Sequence, residues 1–159
     1  MKRMIAILMT LCLLCAAGAG LADMEIPTWD SMPGVVMEDE NTTVDEKAFE
    51  GEWVLNVAFW DQEYIDDQTL AGDFGFNFMP LVIGDGKLKQ DIQNIYGEFN
   101  TVEIPYTFEA GQLQCEEEGG RTIVVELLED GNIVVSTFFP GEGDEMQCLS
   151  VFMKPYEDL

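Results

Sequence analysis

The stretch FEGEWVLNVAF, residues 49–59, decides how this chain is read. Trp53, Leu55, Val57 and Phe59 recur at every second position with Asn56 between them, and a period of two puts alternate side chains on one face of a β-strand. Gly51 stands two residues before the tryptophan, so the strand opens on Gly-x-Trp. The same alternation returns downstream. Residues 76–83 read as a second strand, ended by Gly84, Asp85 and Gly86. Leu88, Gln90 and Ile92 alternate with Lys87, Lys89 and Asp91 on a third, and Ile104, Tyr106 and Phe108 with Glu103, Thr107 and Glu109 on a fourth. Pro105 has no N–H to give a ladder, which marks that strand as an edge or a bulge. Residues 113–116, 122–128, 133–139 and 146–153 complete the set. Asp130-Gly131, between two β-branched runs, suits the positive φ angles of a tight hairpin turn. Only residues 61–72 (DQEYIDDQTLAG) read as a short helix or long loop. Eight strands at short spacing predict an all-β fold: a small antiparallel eight-stranded meander barrel, closed because closure removes exposed edges.

The N-terminus has another character. Met1, Lys2 and Arg3 precede a short apolar run, and 16–22 is rich in small residues. That order is a secretory signal peptide, with Gly20 and Ala22 at the −3 and −1 positions of a cut before Asp23. The apolar run is shorter than the about 20 residues a spanning helix needs. The chain thus divides into a signal at 1–22, an acidic leader at 23–47 with no sustained period, expected to be disordered, and a barrel domain at 48–159.

Removing the signal leaves five basic against 31 acidic residues, a net charge of −26. That field repels nucleic acid and anionic membrane surfaces. Histidine is absent, which excludes Ser–His and Cys–His nucleophilic chemistry and imidazole zinc sites.

Gly51 and Trp53 on the first strand, a short insertion and a meander with Asp-Gly turns resemble the lipocalin-like domains of small secreted bacterial proteins. META-type domains, also small all-β units with an early Gly-x-Trp, are the competing resemblance. The lipocalin likeness implies that Trp53 packs across the closed end of the barrel beneath a basic side chain from near the last strand, for which Lys154 is the candidate. A Thr-Asp-Tyr turn, another mark of that family, is not found.

On the faces assigned above, Trp53, Phe59, Phe76, Phe78, Tyr106, Phe108 and Phe139 point inward as candidate walls of a ligand pocket. The competing reading is that they fill a solid core, since eight strands enclose little more than their own side chains. Cys115 and Cys148 are the only cysteines left after the signal, and an exported chain with two of them suggests a disulfide; their places on the fifth and eighth strands require it to tie strand ends. Acidic runs at 116–118 and 142–145 fall at turns and match no calcium loop or carboxylate pair, and Gly84 and Gly86 belong to a turn, without the lysine and helix of a phosphate cradle. No metal or cofactor is implied. These observations lead to a secreted, non-enzymatic barrel binding a small apolar or amphipathic ligand, with a filled extracellular interaction module as the alternative.

Overall fold

The computed structural model describes residues 25–93, 96–116, 120–141 and 145–158; the signal segment 1–22 lies outside them. The chain forms β1 (Gly51–Trp60), β2 (Glu63–Ile65), a short helix α1 (Asp67–Asp73), β3 (Leu81–Gly84), β4 (Lys87–Gln93), β5 (Phe99–Pro105), β6 (Thr107–Glu109), β7 (Gln112–Glu116), β8 (Thr122–Leu127), β9 (Ile133–Pro140) and β10 (Met146–Pro155). All pairings are antiparallel, in the order β5-β4-β3-β1-β10-β9-β8-β7-β6, with β2 set against the end of β1.

The first and last members of that order are consecutive in the chain. Pro105 cannot donate to a ladder, and the next N–H, of Tyr106, turns to the Gly86 carbonyl at 3.1 Å. One run therefore bends into two, β5 pairing with β4 and β6 with β7. Counted as a single bent strand they close the sheet, and with β2 set aside the barrel has the eight strands that the alternation predicts. Asp85 and Gly86, with φ of 55° and 70°, make the tight β3–β4 turn, the positive-φ pair that two-residue hairpins require.

The first strand departs from simple alternation. Leu55 faces Met153 and Val57 faces Phe152, so Asn56 is an extra residue, a β-bulge. A bulge sets two residues against one and inverts the alternation beyond it. Trp53 and Leu55 point into the barrel, and so do Ala58 and Trp60. Val57 and Phe59 point outward, where they pack with Leu128, Val134 and Phe152. The barrel thus has two apolar layers, one inside and one on the outer face of β1, β8, β9 and β10.

The leader covers that outer layer. Val35 bridges to Leu128, the Val36 N–H donates to the Leu127 carbonyl at 2.8 Å, and the Glu129 N–H donates to the Gly34 carbonyl at 2.9 Å. The Trp29 ring stands edge-on to Phe59 and Phe152, with centroids 5.5 and 5.7 Å away. Residues 25–47 are therefore no detached tail, contrary to the disorder expected from their acidity. Trp29, Met32 and Val35 supply the burial that their acidic neighbours lack.

Candidate ligand-binding site

The two ends of the barrel are built differently. At one end Phe49, Trp53 and Leu113 are buried, and the Trp53 indole Nε1 donates to the Phe49 carbonyl at 2.9 Å. Phe108 meets Phe49 edge-on, with centroids 6.3 Å apart. Half-buried Tyr106 joins this cluster. Burial pushes its phenol above the ordinary value, and the hydrogen-bonded Glu46 carboxylate pushes it further. This end is solid.

At the other end the interior holds a cavity of about 350 Å³. Leu81, Leu88, Ile92, Val102 and Ile104 form one wall, from β3, β4 and β5. Ile123, Val135, Thr137, Leu149 and Val151 form the other, from β8, β9 and β10. The volume falls at the lower end of the roughly 300–1,000 Å³ of small-molecule sites, and the lining is predominantly apolar, as in such sites.

The segment after β1 shapes the mouth. Asp66 caps α1 by accepting from the Thr69 N–H at 2.8 Å, and that bond holds its carboxyl below the ordinary range. Leu70 is fully buried beneath the helix, and its carbonyl accepts from the Phe76 N–H at 3.1 Å. Phe74 and Phe76 are thereby set over the cavity. Trp60 backs them, its centroid 4.8 Å from Phe74 and 5.8 Å from Phe139. The Arg121 guanidinium lies 5.9 Å from the Phe139 ring centre, within cation–π range. Gln90, polar in an apolar wall, donates to the Asn77 and Met79 carbonyls at 3.0 and 2.8 Å, which fixes the loop beside the mouth.

Of the seven aromatic candidates, Phe76 and Phe139 line the cavity. Trp53, Tyr106 and Phe108 belong to the solid end. Phe59 lies on the other side of the sheet because the Asn56 bulge turns it there. Phe78 is largely exposed and touches Phe76, with centroids 5.4 Å apart. Residues 74–80 form a loop where a strand was expected: Gly75 has φ of 63°, and the Asn77 side chain accepts from the Met79 N–H. The contributions of Trp60, Phe74 and Arg121 were missed. The first depends on the bulge, and the others lie where the alternation fails.

Two further expectations are corrected. Lys154 sits opposite Val54, while Trp53 sits opposite Pro155. Lys154 is therefore out of phase with the tryptophan, which is held by the Phe49 carbonyl instead. Cys115 and Cys148 are not bonded to each other. Cys115 packs in the inner layer, whereas Cys148 lies in register with outward-facing Phe138. Three strand spacings of ~4.8 Å separate β7 from β10, far beyond disulfide reach.

Among the described residues, no three His, Cys, Asp or Glu side chains are placed to hold a metal ion, and no helix is long and apolar enough to cross a membrane.

No family profile matches the chain, and neither does any curated protein sequence. Among solved structures it is similar to bovine odorant binding protein complexed with its natural ligand, at 17% identity and a TM-score of 0.43, covering 76% of this chain and 81% of that one. The same protein in complex with a selenium-containing odorant matches at 15% identity and a TM-score of 0.43, over 73% and 75% of the two chains.

Proposed function

We propose that this protein is a secreted, non-enzymatic lipocalin-like barrel that holds a small apolar or amphipathic molecule in its interior. The observation that carries this reading is the apolar cavity of about 350 Å³ at one end of a barrel whose other end is solid. Its polar lining groups, Asn77, Gln90, Arg121 and Thr137, lie among apolar walls, the composition by which binding sites fix a ligand's orientation. Placement outside the cytoplasm is part of the proposal and rests on the signal-like segment at 1–22.

Native mass spectrometry of residues 23–159, produced by export, tests the proposal. Excess mass that persists until denaturation, and that disappears in a Val135→Trp variant filling the cavity, is the expected result. A clean mass both before and after incubation with lipid extract overturns it and leaves the interaction module.

A further inference from the structure

A second space lies on the opposite side of the sheet. Between the leader and the outer face of β8, β9 and β10 runs a groove of about 650 Å³, larger than the inner cavity. Trp29, Met32 and Val35 form its leader wall, and Phe138 and Phe152 line the sheet side.

Two features set this groove apart from ordinary packing between a leader and a barrel. The first is its floor. Ser136 and Ser150 are 7% and 4% exposed, hydroxyls buried on the sheet face that also carries Val134, Phe138 and Phe152. Their oxygens are 3.4 Å apart, and the Cys148 sulfur is 3.4 Å from the Ser150 oxygen. O–H···O bonds centre near 2.7–2.8 Å, so this long contact uses little of the capacity of two hydroxyls, each a donor and a double acceptor. Buried polar groups cost stability unless well bonded, and these two line an open groove.

The second feature is charge. Asp30, Asp61 and Glu126 line the groove, and among the described residues no lysine or arginine does. Asp61 is held in place from two sides: its carboxylate accepts from the Cys148 N–H at 2.8 Å, and its own N–H donates to the Cys148 carbonyl at 2.9 Å. Burial raises the Glu126 carboxyl above its ordinary value.

We infer that the outer groove is a second ligand site, separate from the barrel interior, that takes a small organic cation: an ammonium group on an apolar or aromatic body. The body packs against Trp29 and Phe152, the serine hydroxyls accept from the ammonium, and the three carboxylates supply its counter-charge. A neutral ligand of the same shape gains only the first of these contributions, and an anion is repelled.

Calorimetric titration of residues 23–159 with phenethylammonium and with its uncharged analogue 2-phenylethanol decides the matter. The expected result is saturable one-to-one binding of the cation, with the alcohol weaker by about tenfold or more, the loss of one charged hydrogen bond. Ser150→Leu replaces a floor hydroxyl with a larger apolar side chain and weakens binding about tenfold or more. Glu126→Gln, which keeps the side-chain shape, weakens it about tenfold while the protein stays folded. Val135→Trp, which blocks only the inner cavity, leaves it unchanged, so failure here and failure of the interior site are separately visible. Glu109→Gln and Glu157→Gln, charge removals elsewhere on the surface, also leave it unchanged. Equal affinity for cation and alcohol, no saturation, or weakening by the remote charge removals as large as that by Glu126→Gln overturns the inference.

Discussion

The inner cavity and the outer groove share strands β8, β9 and β10, yet they are built on opposite rules. The cavity lies inside the barrel, lined by strand residues and by the loop at 74–77, predominantly apolar and with Arg121 as its one basic lining residue among those described. The groove exists only because a segment outside the barrel lies across the sheet, and its lining pairs apolar walls with carboxylates and buried hydroxyls. Beside the groove Phe59 is fully buried, packed like a core residue although it lies outside the barrel. The difference shows that "inside the barrel" and "core of the protein" are separate ideas in this chain.

Mutations can break this comparison, and the largest effect belongs to the outer layer. Phe59→Ala removes a fully buried ring and is expected to destabilise by ~3–5 kcal/mol in urea unfolding. Phe139→Ala, at a half-buried ring facing existing space, should cost about half as much or less. Equal losses would mean that the inner cavity is as tightly packed as the outer layer.

Next comes the helix at the mouth. Asp66→Ala removes the cap of α1 and is expected to cost ~1 kcal/mol. Hydrogen exchange should localise the loosening to 66–76 and leave the amides of β8–β10 unaffected. Spread to those strands would show that the mouth and the groove are one cooperative unit.

The smallest effect, and the most specific, concerns Glu126. Its folded pKa lies above the ordinary 4.5 because of burial. The native state therefore binds its proton more tightly than the unfolded chain does, and the stability this provides is present at low pH and lost as pH rises through the folded pKa. Glu126→Gln should accordingly be more stable than the parent at neutral pH, with the gap closing below the ordinary carboxyl range. Melting curves over that range check it. A gap of the opposite sign would mean that the carboxylate is stabilised by a partner in the folded state.

Much of the architecture is legible in the residues. The hairpins and the break at Pro105 follow from alternation and turn chemistry, which are local. The face of Phe59 is not local: Asn56 becomes a bulge only through its pairing with β10, and nothing within 49–59 announces it. Phe76 and Phe78 alternate like strand residues, but Gly75 and Asn77 hold them in a loop. The leader looks disordered by charge, yet Trp29 alone finds two aromatic partners on the sheet. Compartment and cysteine count favoured a disulfide, and register separates its partners. Of the seven aromatic candidates only Phe76 and Phe139 line the cavity, and Phe139 alone lies on a regular strand: lining residues on regular strands can be read by parity, and those set by a bulge or a loop cannot.

The three tryptophans each occupy a different region: Trp29 at the groove, Trp53 in the solid end and Trp60 behind the mouth. The chain therefore carries its own optical reporters. With two indoles at a time replaced by phenylalanine, the emission of the third would follow one region alone, and a single titration series could assign each ligand to its compartment without any attached dye.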